Sequence, residues 1–338
     1  MTASGSRPVY FSFFMFDTNT RLYDASARAT YLEHMRTLAA MGYDGFELHC
    51  LRSPGFDEAF PTYADEVAGY EALRSEVDDA GLAHIALATN VGTSPEQDVS
   101  SPDPAVREAG AEFIRSRIDI THALRGEIMM GPVVYPYGAW VRSADGDGVW
   151  SDALQDELTQ RYETAAPVLD ELGGYASSKG VKIAIEPITH WETPGPNTLA
   201  QTLRFLDLVR STQVGVVIDS AHETLDGAGP DVFADQVRAL AEAGRLHYAQ
   251  ASPPDRGNLA DSWIPWQTLF PPILADYDGP VAIEIFNALP DFAAGLRLSR
   301  RKYWIPGVDE PTAWPDAYQV AQASLDRLRT EFARIEPT

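Results

Sequence analysis

The stretch Lys182–Asn197, KIAIEPITHWETPGPN, decides how the rest of the chain is read. Residues Lys182 to Ile185 have the β-branched, buried character of a parallel strand, and Pro187 cannot donate to a ladder, so the strand ends at Glu186. A carboxylate is thereby delivered from a strand tip into a polar, proline-rich loop that also carries Thr189, His190, Trp191 and Glu192. Taken alone, Glu186 also admits the plainer reading of a solvated strand end. The other strands have to decide.

Working outward, eight short apolar segments recur: Val9 to Phe14, Gly45 to His49, His84 to Thr89, Glu127 to Met130, Lys182 to Glu186, Val214 to Asp219, Leu246 to Gln250 and Val281 to Phe286. Between them lie stretches with apolar residues at three and four spacing: Ala25 to Ala40, Ala64 to Ala80, Pro104 to Leu124, Asp152 to Lys179, Thr198 to Arg210, Asp231 to Ala243 and Trp266 to Ala275, with Trp314 to Ile335 closing the chain. Gly42, Gly81 and Gly180 stand where left-handed helix caps are wanted, and Asn197, followed by Thr198, suits an N-cap. Eight βα units without a composition break predict a (β/α)8 TIM barrel: one domain over 1–338, with the barrel at about 8–286 and a C-terminal loop and helix at 287–338. An open doubly wound sheet is the competing architecture, but the first strand carries no glycine-rich dinucleotide fingerprint and no GxxxxGK[ST] loop occurs.

Composition narrows the partners. A net charge of −23 repels nucleic acid and anionic membrane over most of the surface, so neither is expected as a partner. No run reaches the roughly 20 apolar residues of a membrane helix, and MTASGSRPVYFSFFMF lacks a long apolar core with a cleavage site, so a cytoplasmic location is expected. Cys50, the single cysteine, rules out an intramolecular disulfide and a multi-cysteine zinc site, and is read as an inert small residue.

Long irregular pieces follow the strands at Val91 to Asp103, Gly131 to Trp150, Ser252 to Pro265 and Asn287 to Ala313, on the face where barrel enzymes build their sites. Trp140, Trp150, Trp191, Trp263 and Trp304 fall in strand-to-helix loops, as walls over a sugar or aromatic substrate or as ordinary loop packing. Four strand ends carry oxygen donors: Glu186, Asp219 in VVIDSAH, Gln250 in LHYAQASPPDRG and Glu284 in VAIEIF. In a barrel these tips converge, within reach of one cation at about 2.0–2.6 Å. Hard oxygens without thiolate suit Mn²⁺, with Mg²⁺ or Co²⁺ as substitutes, better than Zn²⁺. Glu47 and His49 either orient substrate and hold other side chains or are structural; His247 is read as packing against the preceding helix; Asp17 and Asn19 follow strand one, where substrate contacts are common.

This pattern resembles the xylose isomerase-like barrel superfamily, in its sugar isomerase and epimerase branch that includes the D-tagatose 3-epimerase-like enzymes. The resemblance runs along most of the chain and is most specific from Ile183 to Phe286. It implies metal ligation by Glu186, Asp219 and Glu284, substrate contacts from Glu192, His222 of the Asp-x-x-His pair, and Arg256, and Glu186 with Glu284 as the acid–base pair. The strand-seven metal ligand of those epimerases is a histidine, whereas this chain has Gln250. In that respect it looks closer to the large subunits of C-glycoside deglycosidases, which act on 3-oxo-glycosides with Mn²⁺ and pair with a small β-rich subunit.

Two reactions therefore stay open, both starting with proton abstraction next to a sugar carbonyl. Epimerisation or isomerisation returns the proton elsewhere. Cleavage of a 3-oxo-C-glucoside expels the aglycone carbon and needs a general acid, for which His190 is the candidate. The substrate is a small sugar or glycoside in either case, with Trp191 beside it, and the assembly is a homo-oligomer or a hetero-oligomer with a small subunit. A sugar-binding barrel without turnover is the non-enzyme alternative.

Overall fold

Strands that are apolar at successive positions have no face to give to water, so both of their faces must be covered. In the computed structural model, which describes residues 7–16, 25–50, 62–139, 152–287 and 302–335, they are. The strands are β1 (Val9–Ser12), β2 (Gly45–His49), β3 (Ala86–Asn90), β4 (Ile128–Gly131), β5 (Lys182–Ile185), β6 (Val214–Asp219), β7 (Leu246–Ala251) and β8 (Val281–Ile283). They pair in sequence order, all parallel, and β8 returns to β1 to close the barrel. Every residue of β2, β6 and β7 is buried.

The outer layer among the described residues consists of α1 (Ala25–Met41), α2 (Tyr63–Val77), α3 (Pro104–Ala123), α4 (Asp152–Lys179), α5 (Leu199–Leu206), α6 (Ser220–Asp226), α7 (Pro230–Glu242), α8 (Trp266–Asp276) and α9 (Ala317–Ile335). Their starts follow capping chemistry: Asp103 accepts from Ala105 N ahead of Pro104, and Thr198 forms a reciprocal capping box with Gln201. The expected N-cap Asn197 is displaced one residue to Thr198. Asn197 instead donates from Nδ2 to Ile188 O (2.8 Å) and Thr193 O (2.9 Å), tying together the loop after β5. Gly42, Gly81 and Gly180 do end helices, with φ of 104°, 80° and 71°.

Other departures are local. The chain leaves β1 at Ser12 for a 3-10 turn over Phe13–Met15, β8 stops at Ile283, and α2 runs into a π turn at Asp78–Leu82. Helix α6 was not expected, because seven residues are too few to show a helical period. Asp17, Asn19, Trp140 and Trp150 lie outside the described residues.

Inside the barrel, side chains alternate with period two and stack in layers. One layer is apolar: Ala88, Ile128, Met130, Ala184, Val217, Tyr248 and Ala282 pack together with Tyr10. Its small members make room for the two tyrosines. Gly45 belongs to the same economy, since a Cβ there would stand 2.5 Å from the Tyr10 ring. Two residues further along the strands come Ser12, Glu47, Asn90, Glu186, Asp219, Gln250 and Glu284, a polar layer at the carboxyl ends.

Outside the barrel, Arg117 of α3 is fully buried, paired with Glu66 of α2, donating to Cys50 O at 2.9 Å and lying 4.6 Å from the Phe113 ring. Cys50 is buried there as an inert thiol, pushed up to about 12 by burial. His247 is tied to Ile183 O (3.2 Å) and Gly244 O (3.3 Å), the end of the preceding helix, as expected of a packing residue.

Two outcomes follow for stability. Glu66→Ala strands the Arg117 charge and should cost about 3–5 kcal/mol in urea unfolding, whereas Glu171→Ala, which breaks the exposed Arg115 pair, should cost under about 1 kcal/mol. Burial lowers His34 and His247 to about 4. Below about 6.5 the unfolded chain therefore binds protons the folded chain refuses, and stability falls as pH drops from about 6.5 to 4. His34→Gln should flatten part of that fall in urea titrations, and an unchanged pH slope would refute it.

Candidate active site

The strand-tip layer brings together the four oxygen donors singled out in the sequence. Glu186 follows β5, Asp219 ends β6, Gln250 lies in β7 and Glu284 follows β8, and none is more than 5% exposed. The barrel adds Glu47 and Asn90 from β2 and β3, both buried. Gln250 joins the two halves of this ring. Its Nε2 donates to Glu47 Oε1 (3.2 Å) and Oε2 (3.1 Å) and to Glu284 Oε1 (3.2 Å), while Asn90 Nδ2 donates to Glu47 Oε1 (3.1 Å). The Gln250 Oε1 atom is buried and has no hydrogen-bond partner among the described residues.

Arg256 closes the ring from the loop after β7. Its Nη1 donates to Asp219 Oδ2 (2.8 Å), Glu284 Oε2 (2.7 Å) and Ser252 Oγ, and its guanidinium lies 4.9 Å from the Phe286 ring. The backbone there is left-handed, φ 54°, a conformation that a non-glycine residue holds only when its surroundings fix it. His222 stands in α6, whose first turn is capped by Asp219 itself. Thr189 N donates to His222 Nδ1 at 3.0 Å, and Nε2 lies 3.3 Å from Glu186 Oε1 and 2.8 Å from Arg256 Nη2. Glu186, Asp219 and His222 each offer an atom within 4.8 Å of the others, a triad that could hold a metal ion. His222, read from the sequence as a substrate contact, is thus within ligand range. Gln250 and Glu284 adjoin this triad through Arg256 and each other.

Burial dominates the electrostatics. It pushes Glu186 up to about 8, with the Asp219 charge adding to it, and Glu47 up to about 7; Glu284 rises well above the usual carboxylate range for the same reason. Asp219 is the exception: burial acts to raise it, but Arg256 and His222 hold it below the usual value. His222 is lowered by burial and then by Arg256, which favours the neutral imidazole.

Of the loop residues, Glu192 is half-buried and feels His222, Arg256, Glu186 and Asp219, which places it facing the cluster; its backbone carbonyl accepts from Gly138 N at 2.8 Å. His190 turns the other way. Its Nδ1 meets Asp226 Oδ1 at 2.7 Å, its backbone N–H donates to Asp226 Oδ2, and its side chain is 57% exposed, with the Trp191 ring tilted against it at 4.9 Å. Trp191 is itself exposed, and Trp263, at 90% exposed, faces solvent.

The structure adds residues that the sequence reading missed or ranked low. Glu47 becomes the main partner of Gln250, Ser252 bridges Arg256 and Glu284, Tyr137 sits beside Glu192, and Asp226 and Glu223 arrive on α6, with Glu223 pushed up to about 7 by burial. A signal for α6 existed: an Asp followed by Ser-Ala-His-Glu has the form of an N-cap and first turn.

Residues 35–302 match the family described as xylose isomerase-like TIM barrel. A ketose 3-epimerase of Arthrobacter globiformis is 26% identical over 254 residues, covering 74% of this chain and 81% of its own. A crystal structure from Anabaena variabilis, provisionally described as a sugar phosphate isomerase/epimerase, is 49% identical with a TM-score of 0.92, covering 98% of this chain and 100% of its own. A D-allulose 3-epimerase from Methylomonas sp. shares the fold at 22% identity and TM-score 0.73, over 97% and 99% of the two chains. With a closed eight-strand barrel, a polar ring at its strand tips and a family match over most of its length, the chain belongs to the xylose isomerase-like TIM-barrel family.

Proposed function

We propose that this protein is a divalent-cation-dependent sugar epimerase that removes and returns a proton on the carbon next to a ketose carbonyl. One observation carries the reading. Four buried carboxylates, Glu47, Glu186, Asp219 and Glu284, share one strand-tip layer with Gln250, whose Oε1 is buried and without a hydrogen-bond partner among the described residues, and Arg256 reaches into that layer to bind two of them. Burial makes these groups resist ionising, which a further cation would reverse, and the donor set of carboxylates, one amide oxygen and one imidazole suits Mn²⁺, with Mg²⁺ or Co²⁺ as substitutes. Glu186, Asp219, Gln250 and Glu284 would hold it, with His222 in reach.

A cation held there supplies polarisation of the sugar carbonyl and acidifies the neighbouring C–H. The chain supplies the rest. One of the pair Glu186 and Glu284 takes the proton as the C–H electrons move toward the carbonyl oxygen, and the other delivers a proton to the opposite face, so that composition is conserved and one centre is inverted. Arg256 and His222 hold sugar oxygens, Glu192 binds a hydroxyl, and Trp191 lies at the rim of the loop. The ketose 3-epimerase relatives support this reading.

His190 favours a second reading. In the cleavage of a 3-oxo-C-glucoside, with a small partner subunit completing the enzyme, this Asp226-paired imidazole would have to swing in from its exposed position to protonate the expelled aglycone carbon.

Mn²⁺-loaded protein should exchange the proton next to the carbonyl of a ketohexose in D₂O, followed by NMR, without releasing aglycone from a 3-oxo-C-glucoside. Aglycone release would favour the second reading. Glu284→Gln should lower turnover by about 10²–10⁴-fold while sugar binding persists, and unchanged turnover would remove its assigned role. Stripping the protein with EDTA and restoring Mn²⁺ to about a hundredfold its Kd should stabilise the fold by about 2.7 kcal/mol, an effect that Asp219→Asn should erase.

A further inference from the structure

Gln250 poses a problem that a histidine at this strand tip would not. A carboxamide can present either its oxygen or its NH₂ to the centre, and only the oxygen attracts a cation. The contacts on the far side of the amide decide the matter. The Nε2 atom lies within 3.2 Å of three carboxylate oxygens, both of Glu47 and Oε1 of Glu284. Rotating the amide by half a turn would set a carbonyl oxygen against those three carboxylate oxygens, so the arrangement favours one orientation, which leaves Oε1 on the other side of the amide, buried and without a hydrogen-bond partner among the described residues.

We propose that Glu47 is a positioning residue: it holds the amide of Gln250 so that the carbonyl oxygen, and not the NH₂, faces the cation. The inference rests on the reading of Gln250 as a ligand. Of the two acids that contact Nε2, Glu47 is the one committed to the task, because Glu284 is also bound to Arg256 and stands among the proposed ligands. Glu47 is in turn fixed from its other side by Asn90 Nδ2 at 3.1 Å. A carboxylate accepting from the NH₂ also draws electron density toward the amide oxygen, which makes that oxygen a better donor to a hard cation. Glu47 does not touch the reacting atoms. Its effect passes through Gln250 alone.

That route makes the test a double-mutant cycle on Mn²⁺ affinity, read as free Mn²⁺ by EPR during titration of the metal-free full chain, with no turnover involved. Glu47→Gln, and Glu47→Asp, which keeps the charge but withdraws the carboxylate by one methylene, should each weaken Mn²⁺ binding by about 10–100-fold. In a Gln250→Ala background, where no amide remains to be held, the same substitutions should change affinity by less than about threefold. Equal losses in both backgrounds would overturn the proposal, because they would show Glu47 acting by bulk charge or by general stability. Wild-type affinity in both Glu47 variants would overturn it too. Wild-type affinity in Gln250→Ala itself would instead remove Gln250 as a ligand, and unchanged affinity in Asp219→Asn would remove the metal site, so each failure is told apart from the others. Should Glu47→Gln fail to fold, Glu47→Asp carries the same cycle.

Discussion

Like charges crowded away from water are the constraint on which this structure turns. Glu47, Glu186, Asp219 and Glu284 are all buried within one layer of a closed barrel, each at the tip of a different strand, and of the four Asp219 alone is given local compensation, by the first turn of α6. Compensation comes from across the barrel: Arg256 donates to Asp219 and Glu284, Gln250 joins Glu47 to Glu284, and Asn90 steadies Glu47. The upward shifts of Glu186 and Glu284 and the downward shift of Asp219 record how unevenly the compensation falls. Asp219 feels both Arg256 and His222 and accepts from two backbone N–H groups of α6, whereas burial outweighs the partners of Glu186 and Glu284.

The apolar layer beneath makes that crowding tolerable. Ala88, Ala184 and Ala282 are small, Tyr10 and Tyr248 are large, and together they plug the barrel below the acids so that the ring opens toward the strand-to-helix loops. On that side the loop after β5 is anchored at both ends. Asn197 ties it to itself, Thr189 N grips the His222 ring, and the backbone of His190 is held by Asp226. The short helix α6 is therefore a brace as well as a carrier, since its N-cap is a proposed ligand and its last residue orients a loop histidine.

The arrangement also explains how one strand-tip position can hold an amide in place of an imidazole. A histidine brings a single lone pair on a rigid ring. A glutamine needs its amide to be told which way to point, and the carboxylate on β2 stands where that instruction can be given. In the sequence Glu47 could equally orient substrate, support other side chains or be structural, because its partner lies 203 positions away.

Much of this was legible without coordinates. Short β-branched runs alternating with three-and-four-spaced helices determined eight parallel units, because a strand apolar on both faces has to be covered on both sides; the acids closing those runs determined that Glu186, Asp219, Gln250 and Glu284 would meet, because strand ends of a barrel share a face. Side-chain direction was not legible. That His190 turns to Asp226 while His222 turns to Glu186 depends on a seven-residue helix too short to leave a periodic trace. The pairing of Glu47 with Gln250 and the seat of Arg256 depend on barrel closure, which sets registers between strands that no local pattern encodes. Sequence determines which residues reach a strand tip, since that follows from local periodicity. Only the closed tertiary structure decides which of them touch, since that depends on contacts made across the barrel.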